Sequence, residues 1–82
     1  MYRILTEDKN RETIHAILDS HVQGYAVLPG IGSWRGQREK SLTIDLIGPS
    51  LETARQIAEE IKAANQQEAV LLLDIPVVAE FI

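Results

Sequence analysis

Ser41-Leu42-Thr43-Ile44-Asp45-Leu46 alternates polar and apolar residues without exception. A two-residue period predicts a β-strand with one face on an apolar core, because successive side chains of a strand point to opposite faces. This segment is the clearest element of the sequence. Glycine- and proline-containing turns separate it from further periodic segments on either side.

Downstream of this strand, the sequence predicts a helix followed by a last strand. Gly48-Pro49 ends the strand, and Ser50 has the hydroxyl that caps helix N-termini. Helical spacing then continues to about Asn65, with an apolar stripe made of Leu51, Ala54, Ile57, Ala58 and Ile61. The run Ala69 to Leu73 is apolar at every position, so we expect cover on both faces of that strand.

Upstream, the pattern predicts a strand, a helix and a second strand. Tyr2 to Thr6 is predicted as the first strand, and Asp8 or Asn10 as the cap of the helix that follows. That helix has an apolar stripe of Ile14, Ile17, Leu18 and Val22, and Gly24 is expected to end it as a C′ glycine. Tyr25 to Leu28 is predicted as a strand broken at Pro29-Gly30, with a glycine-rich turn region through Gly36.

The order βαββαβ predicts a single α+β domain over residues 1–82 with the ferredoxin-like fold. In that fold four antiparallel strands form a sheet that carries both helices on one face. The other sheet face then has no cover within the chain. Since the last strand is apolar on both faces, a second copy of the protein is the expected cover, giving a closed homo-oligomer.

Composition narrows the function classes further. The chain has 82 residues, no cysteine, no stretch of the ~18–20 apolar residues that span a bilayer, and no long apolar segment after Met1. We therefore expect a cytoplasmic protein without disulfides, thiolate zinc sites, a cysteine nucleophile or a membrane partner. The net charge of −4 argues against binding to a nucleic-acid polymer.

The basic residues are concentrated between Arg35 and Lys40. Three bases and one acid give this segment +2 and leave −6 on the remainder. Such a local site suits a compact anion. The surrounding glycines can direct backbone amides at an anion, the arginines can bind it in bidentate fashion, and Trp34 offers a face for stacking. The candidate ligand-binding residues are Gly30, Gly32, Ser33, Trp34, Arg35, Gly36, Arg38 and Lys40, with Gln67 at the rim.

A structural alternative explains the same residues. The segment could be a β-hairpin whose glycines permit a bulge and whose Trp34 packs against a neighbouring subunit. The two interpretations are compatible, because a cleft between subunits would use the same side chains. Gln67 likewise has an alternative role in a polar loop after the second helix.

The segment Gly24 to Gly36, GYAVLPGIGSWRG, resembles the end of the second strand in the PII signal-transduction proteins. Its Pro29-Gly30-Ile31 and Trp34-Arg35-Gly36 are also similar to the CutA family, as is Glu68-Ala-Val followed by Ile75-Pro-Val. Both families are ferredoxin-like trimers, so the resemblance implies a trimer. From the PII pattern, Gly30, Gly32, Arg35 and Gly36 carry over as part of a nucleotide cradle.

Two features depart from the PII pattern. Only a few residues separate Gly36 from Ser41, so the long partner-binding loop of PII proteins is missing. The loop after the second helix is Asn65-Gln66-Gln67-Glu68, without the glycines and lysine that hold nucleotide phosphates in that family.

The sequence therefore predicts a non-enzymatic oligomer without a cofactor that holds a small anionic ligand, preferably a nucleotide or nucleotide-derived signal. Ser33 has no evident base or oxyanion partner, and no catalytic motif appears. The alternative is a CutA-like trimer with a structural or divalent-metal role. His15 and His21 are about 120° apart around a helix, so a metal site needs several subunits or carboxylates such as Asp45 and Asp74.

Overall fold

The computed structural model describes all 82 residues and contains four β-strands and two α-helices. In chain order they are β1 (Tyr2–Glu7), α1 (Arg11–His21), β2 (Gly24–Trp34), β3 (Gln37–Ile47), α2 (Leu51–Asn65) and β4 (Leu71–Asp74). All strand pairs are antiparallel, and the strand order is β2-β3-β1-β4. This is the ferredoxin-like arrangement, and the predicted fold class is confirmed.

The core lies between one face of the sheet and both helices. Ile4 on β1 is opposite Ile44 on β3, so the alternation of β3 places its apolar residues on the same face as Ile4. Burying such side chains stabilises the fold by about 1.5–3 kcal/mol each. The core residues are Ile4, Leu42, Ile44 and Leu46 from the sheet, with Ile14, Leu18, Ala54, Ile57, Ala58 and Ile61 from the helices.

The helix ends agree with the sequence at α2 and differ at α1. Ser50 caps α2 as predicted, because its Oγ accepts a hydrogen bond from the Thr53 amide at 3.2 Å. Asn10 precedes α1 in a left-handed conformation and makes no side-chain cap. Its side chain binds the end of α2 instead, and Asp8 pairs with Arg11, so the predicted capping of α1 is wrong. Gly24 begins β2 rather than ending α1.

Strand β2 continues through Pro29, where the sequence predicted a break. Pairing with β3 runs without a bulge from Gly24 opposite Ile47 to Trp34 opposite Gln37. Trp34 and Gln37 flank the two-residue turn of the hairpin and therefore form a hydrogen-bonded pair. Such pairs alternate with non-bonded pairs along the ladder. Pro29 therefore lies in a non-bonded pair at the outer edge of the sheet, where a missing N–H costs no ladder bond.

The sheet face opposite the helices has no cover within the chain. It presents Leu28, Ile47 and Leu71, all exposed. Strand β4 begins two residues later than predicted, and residues 75–82 lie outside any strand or helix. Neither helix combines the length and the apolar character that a membrane crossing requires.

Candidate functional site

The candidate residues lie almost entirely on a projecting part of the β2–β3 hairpin, which we call the hairpin tip (residues 30–40). Its last backbone contact with the rest of the molecule is the Asp8 amide, which donates to the Lys40 carbonyl at 3.0 Å. All tip residues except Gly32 are exposed. The molecule accordingly measures 39 × 23 × 20 Å along its principal axes.

The tip closes with a two-residue turn at Arg35 and Gly36. Both have positive φ, 51° and 80°, as a type I′ turn requires. Glycine adopts this conformation without strain at the second position. The segment is therefore a β-hairpin, as the structural alternative predicted, but without the predicted bulge, and the packing of Trp34 against a neighbouring subunit stays a prediction.

The tip has two faces with different chemistry. Alternation along the paired strands places Trp34 on the uncovered-sheet side, together with Gly30, Gly32, Gln37 and Glu39. The opposite side carries Ile31, Ser33, Arg38 and Lys40. Trp34 points to one side of the paired strands, whereas Arg38 and Lys40 point to the other side. One chain therefore does not bring these three side chains together on one ligand.

Arg35 at the turn is near the indole side. Its guanidinium carbon is 5.6 Å from the Trp34 ring centroid, within the range of a cation–π contact. Trp34 itself is 59% exposed, so its ring is open to stacking. The structure thus brings Trp34 and Arg35 together and leaves Arg38 and Lys40 as a second group.

The cations of the tip form no ion pair within the chain, although Arg35 contacts the Trp34 ring and Lys40, after Arg11, contributes to lowering the pKa of Asp8. The side chains of Arg35, Arg38 and Lys40 make neither a hydrogen bond nor a salt bridge, although three other bases are paired with carboxylates. Two further bases without a carboxylate partner lie on α2, at Arg55 and Lys62. The tip is therefore the one place where unpaired positive charge is concentrated.

Gly30 and Gly32 do not form an anion nest in this chain. Both are extended, and their register places them in hydrogen-bonded pairs, so their amides point at β3. A Cβ at Gly32 would lie 3.4 Å from the Cβ of Ser41, an ordinary contact. The prediction that glycine amides converge on an anion is therefore wrong for Gly30 and Gly32 of an isolated chain. The glycines instead leave a shallow strip without side chains beside Trp34.

Gln67 lies away from the tip and ties α2 to β1. Its Oε1 accepts hydrogen bonds from Thr6 Oγ1 at 2.6 Å and from Asn65 Nδ2 at 2.9 Å. Its amide donates to the Ala69 carbonyl at 3.2 Å. Thr6 and Asn65 are the only buried polar residues of the chain. These contacts give Gln67 a structural role, and its place at a ligand rim stays a prediction.

A pair of carboxylates lies at the base of the tip, and the sequence pattern did not predict it. Glu7 and Glu39 lie on the uncovered face of neighbouring strands. A hydrogen bond with Glu7, partial desolvation and the charge of Glu7 raise the pKa of Glu39. The 32-residue separation gives no local signal, and only the β1–β3 register shows the pair.

The predicted metal donors are engaged separately. His15 Nδ1 is 3.0 Å from the Tyr25 hydroxyl, whereas His21 Nε2 is 2.5 Å from a Glu60 oxygen. Asp45 binds Arg3 through two hydrogen bonds of 2.6 and 3.0 Å on the uncovered face. Asp74 is opposite Tyr2 and thus on the other face. Nowhere do three or more such donors converge.

A surface depression on α2 also lies away from the tip. It is lined by Leu51, Glu52, Arg55, Gln56 and Glu59. All five belong to the outer side of α2, so one helix alone bounds the depression. It offers no enclosed site.

Comparison with known proteins adds no assignment. No protein-family model matches the chain, and no curated protein matches it at a significant level. The resemblance to the PII and CutA families therefore rests on the motifs quoted above.

Proposed function

We propose that the protein is a non-enzymatic, PII-like ligand-binding oligomer, with a trimer as the expected assembly. It holds a small anionic ligand, preferably a nucleotide or nucleotide-derived signal, in a cleft between subunits. One observation carries the proposal. Three cations without an ion-pair partner and one exposed indole lie on the two faces of one projecting hairpin, in a chain that is otherwise acidic.

The two faces of the tip favour a site between subunits. The indole and Arg35 are on one side, and Arg38 and Lys40 are on the other. A ligand held by one side leaves half of its own surface open to solvent, whereas binding sites enclose most of the ligand. A second copy that supplies the missing wall closes the cleft, and the uncovered apolar sheet face provides a reason for that copy to bind.

The side chains favour a ligand with both a phosphate and a base. Guanidinium groups bind phosphate in bidentate fashion, and indole faces stack on nucleobases. The two-residue turn at Arg35 and Gly36 leaves no long loop for binding a partner protein. Sensing or sequestration of the ligand is therefore the role that the tip supports.

A ligand screen tests this function. We expect one or more nucleotides to raise the melting temperature of the purified chain, since a ligand of the native state stabilises it. Titration calorimetry should then show Arg35→Ala and Trp34→Ala each weakening binding by roughly 5- to 150-fold, equivalent to about 1–3 kcal/mol. Arg55→Ala, which removes an unpaired arginine of α2, is the matched control and should bind normally.

The outcomes separate the alternatives. Equal affinity of all three variants would place the ligand elsewhere, and a response to inorganic phosphate alone would remove the base from the ligand class. The CutA-like alternative, a trimer with a structural or divalent-metal role, predicts stoichiometric copper or zinc binding that His15→Ala or His21→Ala abolishes. Calorimetry with the metal-free chain measures that directly.

A further inference from the structure

Residues 76–82, which we call the 76–82 segment, form a mostly apolar stretch that lies outside any strand or helix. Backbone pairing with β1 ends at Ile75, whose amide donates to the Met1 carbonyl at 2.8 Å, and the segment makes no backbone hydrogen bond. Val78 and Phe81 are 97% and 92% exposed. Valine, isoleucine and phenylalanine favour strands, so the composition of this segment suits a strand that has nothing to pair with.

The outer edge of β2 at the tip has unpaired backbone groups with which such a strand can form hydrogen bonds. By the alternation of the ladder, the N–H and C=O groups of Ile31 and Ser33 point away from β3. No strand lies beyond β2, so these groups are unpaired within the sheet. Ile31 is also 72% exposed beside them. Pro29 lacks the next outward donor and so separates the free edge of the tip from the outward groups of Val27 and Tyr25 nearer the base.

The 76–82 segment cannot reach this edge within its own chain. The 76–82 segment leaves the sheet at Asp74, opposite Tyr2, whereas the tip lies at the other end of β3. Asp74 is level with Leu46, which lies six residues or about 20 Å along β3 from Lys40, the residue opposite Ile31. The outer side of β2 is also four strand spacings, about 19 Å, across the sheet from β4, and these two components combine to about 28 Å. Seven residues span at most about 25 Å, so the 76–82 segment can pair with this edge only in another molecule.

We propose that the 76–82 segment of one copy pairs as an added strand with the outer edge of β2 in a second copy. Charge complementarity supports this partner. Glu80 is the only charged residue of the segment, and the tip segment carries +2. When Glu80 lies on the side of Arg38 and Lys40, strand alternation turns Phe81 toward Trp34 and the strip left bare by Gly30 and Gly32.

This contact is head-to-tail, because each copy gives a segment at one end and offers an edge at the other. Repetition of a head-to-tail contact closes into a ring when the rotation permits. The inference rests on the self-association in the proposed function and is independent of any ligand. The surfaces that form the assembly are then the 76–82 segment of one copy and the outer edge of β2 in the next.

Analytical ultracentrifugation of the full chain without ligand tests the contact. We expect Phe81→Ser and Glu80→Lys each to weaken association at least tenfold, and Arg38→Glu to do the same. The charge-exchanged double variant Glu80→Lys with Arg38→Glu should regain association. Glu59→Lys, which reverses an exposed charge on α2, is the matched control and should associate normally.

A mixing experiment tests the direction of the contact. One chain lacks residues 76–82, and the other carries Ile31→Pro, which removes an outward N–H without breaking a ladder bond. Each should be monomeric alone, with an unchanged circular dichroism spectrum, and the mixture should form a one-to-one dimer. Failure of the mixture to dimerise, or an oligomer that survives removal of 76–82, overturns this inference alone. A monomeric unmodified chain at micromolar concentration overturns both it and the proposed assembly.

Discussion

The base and the tip of the β2–β3 hairpin share the same strands and the same unbroken register but differ in what holds them. At the base, the even-numbered residues of β3 are fully buried under the helices. At the tip, ten of the eleven residues are exposed, and only the ladder and the turn fix the conformation. The comparison shows that backbone pairing determines shape over the whole hairpin, whereas apolar burial stabilises only its base.

This division separates stability from function along one element. Side chains at the base cannot change without disturbing the core, but those at the tip contact little of their own chain. Arg35, Arg38 and Lys40 break no salt bridge when they bind something else, and Arg35 gives up only its contact with the Trp34 ring. The tip is therefore free to bind a ligand or a second copy without loss of packing in the domain.

The largest expected effect comes from one chemical change made at both places. Ile44→Ala at the base removes a fully buried side chain from the middle of the core. It should lower the free energy of unfolding by about 2–5 kcal/mol. Ile31→Ala at the tip should lower it by less than about 0.5 kcal/mol, because that side chain is already exposed.

Urea denaturation at a concentration that keeps the chain monomeric measures both values. An equal loss in the two variants would show that the tip packs on the domain more closely than the structure indicates. A far-ultraviolet spectrum of each variant under native conditions checks that both remain folded at the start.

An intermediate effect is expected at the turn. Gly36→Ala places a Cβ at a φ of +80° and should cost about 1 kcal/mol locally. Because the tip is held only by its ladder, that loss should appear as faster amide exchange between residues 31 and 40, with global unfolding almost unchanged. Gly30→Ala is the matched control, since its Cβ would have only Ser41 Oγ within reach, at 3.9 Å.

Amide exchange followed by NMR distinguishes the two glycines. If Gly36→Ala lowered global stability as much as local protection, the tip and the base would unfold as one unit, and the division drawn above would be wrong. Unchanged exchange in both variants would equally contradict a turn held by the backbone of Gly36.

The base of the hairpin was predictable from sequence, and the tip was only partly so. The alternation from Ser41 to Leu46, the α2 stripe and the Ser50 cap are local patterns that burial imposes, so each could be read from neighbouring residues. The continuation of β2 through Pro29 could not. It depends on Pro29 being at an outward position of an edge strand, which follows from the register and not from its neighbours.

The candidate site shows the same limit. Proximity in the sequence predicts that its residues form one cluster, but strand alternation divides them between two faces. Gln67 was placed near them by resemblance, whereas its contacts are with Thr6 and Asn65, the buried polar pair on β1 and α2. Local composition identifies an unusual segment, but the arrangement of its side chains follows only from the long-range pairing of the strands.

The smallest expected effect lies where base and tip meet, at Glu7 and Glu39. The pKa of Glu39 is raised by its hydrogen bond with Glu7, by partial desolvation and by the neighbouring charge. The folded chain thus binds this proton more tightly than the unfolded chain, and the resulting stabilisation is full below the ordinary pKa of 4.5. It is lost as the pH rises through the raised value, and at neutral pH the two ionised carboxylates repel each other, a repulsion that the nearby Lys9 reduces. Glu39→Gln should therefore raise the melting temperature slightly at pH 7, and the gain should vanish near pH 3.5. The free-energy change behind it should be smaller than the local loss expected for Gly36→Ala.

Calorimetric melting of both chains across this range measures the difference, with Glu59→Gln on α2 as the control for a lost surface carboxylate. A gain that persists at low pH, or that Glu59→Gln reproduces, would show that net charge and not the Glu7–Glu39 contact is responsible.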